Sequence, residues 1–296
     1  MPNYLERLVV GGDVHPLLGS ALRLSQLDAR TGFRSPAPHL DGWHPLTEVA
    51  GSPMVTACLD ALPGTRTGMR NVAAAQLAAS LACCLVRPLM AMLHIDHRVP
   101  ALRPESTHVL QRDGRFHALA LDACDIYALP GDPATGHPAL HTVTGHDDLD
   151  ALVARQIHAV LAPVLHTIRA EGRYGLPRLW GAILDMIGAT SLLVARIGGL
   201  DQCQVWHRAK HLCALVQELA DQPRACHPRP FAVNWSGGEA LYTVKGTCCL
   251  QYREYGLRAG EGQDGDSYCK TCPFVTEGKR QSQCSNQLEH DMAHAR

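Results

Sequence analysis

"GTCCLQYREYGLRAGEGQDGDSYCKTCPFV", residues 246–275, sets the reading of the whole chain. Cys248 and Cys249 are adjacent, 19 residues follow, and then come Cys269, Cys272 and Pro273. Cys269-x2-Cys272 lets one short turn aim two sulfurs at a single centre. The adjacent pair is harder to use. In an extended strand neighbouring side chains face opposite ways, so Cys248 and Cys249 converge only where the backbone kinks. Gly246 is the residue expected to permit that kink. A zinc ion takes four ligands on a small tetrahedron, usually from two x2 knuckles, and adjacent cysteines serve it poorly. A [2Fe–2S] cluster spreads four thiolates over two irons, a wider target that suits an irregular pair. Both metals stay open on spacing alone. The second Cys-Cys pair, Cys83-Cys84, sits in an Ala-rich run and reads as two small packed hydrophobes.

Working outward, the segment from Phe231 to Arg253 is β-prone, with "FAVNW" and "ALYTVKGTCCLQYR" joined by Ser-Gly-Gly. Upstream lie three helical patterns. In residues 148–172, Val153, Ile157, Val160, Leu161, Val164 and Ile168 recur at helical steps. Asp147 or Asp148 is expected to cap this helix and Gly172 to end it. Pro177 opens the next, and residues 201–221 form a third with Leu212, Val216 and Leu219 on one side. Further back, "RDGR" between β-prone runs in 107–129 signals a hairpin at Asp113-Gly114. Residues 131–148 read as a loop. Residues 69–95 form a long apolar helix, with Pro88 expected to kink it. Short helices and loops fill residues 1–66, and the polar tail after Cys284 is expected to fray.

The fold class expected is therefore α+β. Residues 1–225 form a helix-rich body with a β-hairpin region, and residues 226–296 form a small C-terminal β/cysteine module with a polar tail. That module is too small to bury much core alone and must lean on the helices or on a metal.

Composition narrows the function classes. The chain has 296 residues, 46% hydrophobic and 19% charged, with a net charge of -1. That is a globular composition without a nucleic-acid footprint. No secretory signal is visible at "MPNYLERLVVGGD", so the 12 cysteines are read as reduced thiols rather than disulfides. The most apolar run, residues 72–86, contains Gln76 and Ser80 and is read as a buried helix rather than a membrane span. Among 17 histidines, the groups His94/His97 and His137/His141/His146 have passable ligand spacing but read as surface residues. Cys58, Cys124, Cys203 and Cys213 read as packed thiols, while Cys226 and Cys284 flank the module and are reserve ligands. No phosphate loop, dinucleotide fingerprint or nucleophile elbow occurs.

"TCCLQYR…YCKTCPF" resembles the C-terminal motif of the FhuF-type ferric-siderophore reductases: Cys-Cys, an aromatic shortly after, a gap, then Cys-x2-Cys-Pro. "HAVLAPVLHTIRAEGRYGLPRLWGAILDMIGA" is similar to that family's helical body. The resemblance implies a [2Fe–2S] cluster held by Cys248, Cys249, Cys269 and Cys272. It implies one-electron reduction of siderophore-bound Fe(III), in a groove between body and module, of a ferric siderophore of hydroxamate type. Arg173, Tyr174, Arg178, Trp180, Arg253 and Tyr255 are candidate ligand contacts. An electron-donor partner is implied. The location expected is cytoplasmic, either soluble or peripheral at the inner face of the membrane, and the sequence is read as having no transmembrane segment. The gap of 19 residues is about twice the family's usual one. Doubling a loop costs only about 0.6 kcal/mol, so "RAGEGQDGDS" reads as an insert. A binding protein with a structural zinc and a ferredoxin-like carrier are the alternative readings.

Overall fold

The fold is taken from a computed structural model, which describes residues 9–10, 13–28, 42–62, 69–255 and 268–294. In chain order the elements are β1 (Val9–Val10), β2 (Asp13–Val14), α1 (Pro16–Leu27), β3 (Trp43–Pro45), α2 (Leu46–Val49), α3 (Ser52–Ala61) and α4 (Arg70–Ala91). A π turn at Met92–Asp96 follows, then β4 (Arg98–Pro100), β5 (Thr107–Arg112), β6 (Arg115–Leu121), β7 (Ile126–Ala128) and β8 (Leu140–Thr142). The long helices are α5 (His146–Gly172), α6 (Leu176–Gly198) and α7 (Gln202–Leu219). β9 (Arg229–Trp235), β10 (Gly238–Val244), a 3-10 turn at Gln251–Tyr255 and α8 (Glu277–His294) complete the chain. The class is α+β, as the sequence predicts.

α4 is apolar on every face. Val72, Ala74, Leu77, Ala78, Leu81, Leu85 and Leu89 are all buried, which places it at the centre of the body. Its alanines let α6 approach closely along one side, and β6 packs on another. The helix runs on through Pro88 and closes in the π turn, where His97 takes a left-handed conformation at φ 53°.

The Asp113-Gly114 hairpin forms as expected. Both residues have positive φ, 50° and 74°, the pattern of a tight turn between twisted strands. β3 joins the far side of β5. The stretch expected to be a plain loop contains β8, which pairs in parallel with β7. Arg98 and Asp132 anchor this region through a buried two-point ion pair, 2.7 Å from Nε and 2.6 Å from Nη2.

α5 starts at His146, so Asp147 and Asp148 lie in its first turn rather than at its cap. Its end corrects the expectation for Gly172. The left-handed residue is Arg173, φ 51°. Gly172 is still helical, and a Cβ there would collide with the Cβ of Ala74, so its glycine serves close helix packing. Asp201 caps α7, its carboxylate accepting from the N–H groups of Cys203 and Gln204. Leu212 and Val216 are buried as expected, but Leu219 is exposed at the helix end.

β9 and β10 form the second predicted hairpin and pair from Arg229↔Val244 to Trp235↔Gly238. The polar tail does not fray within the described residues. α8 continues past Cys284 because Cys284 and Leu288, one turn apart, bury against Val233 and Ala240 in a small core. β10 also packs on α6, so the module leans on the body.

Three helices are long and apolar enough to cross a membrane by length and composition: Arg70–Asp96, His146–Gly172 and Leu176–Gly198. In this fold 72%, 44% and 61% of their apolar windows are buried inside the protein. Burial accounts for the apolarity of the first and third, and for less than half of the second.

Candidate metal centre

β10 ends at Val244 and delivers Lys245, Gly246, Thr247 and the cysteine pair in order. The Lys245 N–H donates to the Thr271 carbonyl at 2.9 Å, tying this segment to the second cysteine turn. Gly246 and Thr247 donate their N–H groups to Asp185 on α6, at 2.6 and 3.0 Å. Gly246 lies against the 226–228 segment: a Cβ would stand 2.5 Å from the His227 carbonyl oxygen and 2.7 Å from the Cys226 carbonyl. Its glycine therefore answers a close backbone approach. The chain bends at Gly246 and Thr247, where the kink was expected, and Leu250, just after the cysteine pair, takes a left-handed conformation at φ 58°. Leu250 is buried, and that anchorage offsets the ~1–2 kcal/mol that left-handed backbone costs a non-glycine residue.

The second pair sits in a turn closed by Cys272 N–H to Cys269 C=O at 2.9 Å and Val275 N–H to Cys272 C=O at 3.2 Å. Arg280, fully buried, holds that turn from below by donating to the carbonyls of Cys272 at 3.0 Å and Val275 at 2.6 Å. Its guanidinium also lies 5.5 Å from the Phe231 ring centre.

The four thiols meet. Cys248 is in hydrogen-bond contact with Cys272, Cys272 with Cys269, and Cys269 with Cys249. Backbone N–H groups reach three of the sulfurs: Leu250 to Cys248 at 3.4 Å, Gln251 to Cys249 and Phe274 to Cys272. The Lys245 ammonium lies 3.6 Å from Cys269 Sγ. The thiols of Cys249 and Cys272, with Lys245, hold the Cys269 thiol far below its ordinary range. Contact with Cys272, assisted by the Leu250 N–H, lowers Cys248 as well. Cys249 and Cys272 are pushed up, because each donates to a neighbouring sulfur and is buried. Burial works against the Lys245 ammonium, but Cys269, Cys249 and Asp185 outweigh it and its pKa rises. Burial raises Asp185 to about 7, opposed by its two N–H donors.

This donor set fits a thiolate-ligated centre. Four sulfurs converge, amide N–H groups point at them, and a cation stands beside one. Their arrangement is a chain of pairwise contacts. Among the described residues no group of three or more His, Cys, Asp or Glu is set around a point that could hold a metal ion.

A narrow cleft opens beside Cys248 and Cys249, between α4, α6 and the cysteine segment. Ala75, Ala78, Ala182 and Ala189 give it apolar walls. Tyr174, Arg178, Asp185 and Lys245 supply its polar groups. Tyr174 donates its hydroxyl to the Cys248 carbonyl at 3.3 Å. Of the predicted ligand contacts, Tyr174 and Arg178 line this cleft. Trp180 is corrected: it is 2% exposed and stacked on His158 in the core, where no ligand reaches it. Arg173 is exposed at the α5 end and Arg253 lies beside Tyr252, and neither lines the cleft. The 256–267 segment and the Tyr255 side chain lie outside the described residues.

The reserve ligands separate from the centre in kind. Cys284 belongs to the small α8 core, and Cys226 is exposed. Cys58 and Cys213 are packed as expected, whereas Cys203 is exposed. His94 is not a surface residue. It is buried and hydrogen-bonded to Ser191 Oγ at 2.9 Å. Asp185 and Lys245 are the site residues that sequence reasoning does not reach. The available signal was a lone carboxylate inside the apolar run "GAILDMIGA". No family model matches this chain, and no curated protein matches it.

Proposed function

We propose that the chain is a ferric-siderophore reductase of the FhuF type, with Cys248, Cys249, Cys269 and Cys272 as ligands of a [2Fe–2S] cluster. The observation that carries the reading is the chain of contacts that links these four thiols, two of which, Cys248 and Cys249, line a cleft. When bound, the cluster would supply one electron at a time, which suits conversion of chelated Fe(III) to Fe(II). Oxygen donors hold ferric iron far more tightly than ferrous iron, so that electron releases the metal. The chain's own residues place the ligand. The cleft is too small to enclose a siderophore, so the ligand would sit at its mouth against the alanine walls, where the exposed Arg178 offers charge-assisted hydrogen bonds to anionic oxygens. Asp185 fixes the segment that carries the first two cysteines, and Arg280 fixes the turn that carries the second two.

A low-potential one-electron carrier protein would reload the centre. The proposal places the protein in the cytoplasm, soluble or peripheral at the membrane. A single-turnover experiment tests the function. Anaerobically reduced protein is mixed with a ferric hydroxamate siderophore and a ferrous chelator. The expected result is ferrous chelate forming at the rate at which the protein is reoxidised. A cluster that reoxidises without yielding ferrous iron would leave a ferredoxin-like carrier instead.

A further inference from the structure

We infer that Lys245 tunes the reduction potential of the centre, making it a better electron acceptor than four thiolates alone would. The inference rests on the cluster reading above and concerns a residue that no ligand pattern assigns. Lys245 follows the last residue of β10 and is held in place by its backbone bond to Thr271. Its ammonium stands 3.6 Å from Cys269 Sγ, with its stem along the cleft wall. Asp185, Cys249 and Cys269 are the groups of opposite tendency that face it. Asp185 is engaged with the N–H groups of Gly246 and Thr247, so the ammonium is left directed at sulfur.

The physical consequence concerns charge. Taking up one electron adds one negative charge to a centre already made negative by four thiolates. A fixed cation beside a ligand sulfur, in a half-buried place, stabilises the reduced state more than the oxidised one. It therefore raises the potential. The electron comes from the one-electron carrier in the cell, or from dithionite in the test, and leaves to the chelated Fe(III).

The experiment compares wild type, Lys245→Met, Lys245→Gln and Lys245→Arg as full chains purified anaerobically. Iron and sulfide are measured first, and midpoint potentials are then obtained by dithionite titration followed by EPR. Met and Gln variants that retain iron and sulfide are expected to shift to more negative potential, with Arg returning toward wild type. Unchanged midpoints in loaded Met or Gln variants would overturn the inference. So would loss of iron and sulfide in both neutral variants, which would make Lys245 structural. Wild-type protein without iron and sulfide would instead overturn the cluster reading itself.

Discussion

Replacing Gly246 by alanine tests the packing that seats the first cysteine pair. The new Cβ would lie 2.5 Å from the His227 carbonyl oxygen and 2.7 Å from both atoms of the Cys226 carbonyl. All three are backbone atoms, so no side chain can rotate away. Overpacking of this kind costs about 1–3 kcal/mol, and rigid neighbours put it at the upper end. Separation of the two segments also strains the 2.6 and 3.0 Å bonds from Gly246 and Thr247 to Asp185. Losing one bond to a carboxylate adds about 1.5 kcal/mol or more. The expected loss is about 3–5 kcal/mol, or about 6–10 °C in Tm for a chain of this size. Iron and sulfide content should fall with it. Thermal unfolding followed by circular dichroism reads the first effect and chemical analysis the second. Gly278→Ala is the control, because a Cβ there meets nothing within 4 Å. A Gly246→Ala protein melting within about 2 °C of wild type would refute the close-approach argument.

Three further outcomes follow from the same coordinates. Burial, assisted by Arg208 and His97, lowers His94 to about 3, so it is neutral when folded and takes up a proton near pH 6.5 only when unfolded. Its contribution to stability is complete above pH 6.5 and is lost as pH falls toward 3. Wild type should therefore lose about 2 kcal/mol more than His94→Gln between pH 7 and pH 5 in urea unfolding. Asp132→Ala strands the buried Arg98 guanidinium and should cost about 3–5 kcal/mol, part of which Arg98→Met in the same chain restores. Arg178→Ala should weaken binding of a ferric hydroxamate siderophore about tenfold in a titration, with iron and sulfide content unchanged.

The parts of the fold legible in the sequence are those written in local chemistry. Asp113-Gly114 and Ser236-Gly237 each mark a hairpin between β-prone runs, and both hairpins form. The apolar steps of α5 and the early Pro177 of α6 placed those helices within a residue or two. What escaped depends on tertiary partners. α8 is polar along most of its length and is held by two buried residues, Cys284 and Leu288, whose partners lie on β9 and β10. The role of Gly172 turns on Ala74, about a hundred residues earlier.

The site divides in the same way. The four cysteines were grouped because their pattern resembles a family motif, and the structure brings them into pairwise contact. The bend at Gly246 was legible because glycine permits it, whereas the left-handed Leu250 was not, since nothing in a leucine announces positive φ. Trp180 shows the opposite failure. Its place in an Arg-rich helix head made it look like a contact, yet its rings fill the core beside His158. Sequence proximity marks a neighbourhood, and burial decides which side chains face the ligand.

The central claim is that four converging thiols hold two irons. Anaerobically purified protein from iron-replete cells should be coloured and contain about two irons and two sulfides per chain. On one-electron reduction it should give the EPR signal of a reduced [2Fe–2S] centre. Each of Cys248→Ser, Cys249→Ser, Cys269→Ser and Cys272→Ser should lose or alter that signal. Colourless protein carrying about one zinc per chain, with neither iron nor sulfide, would contradict the account.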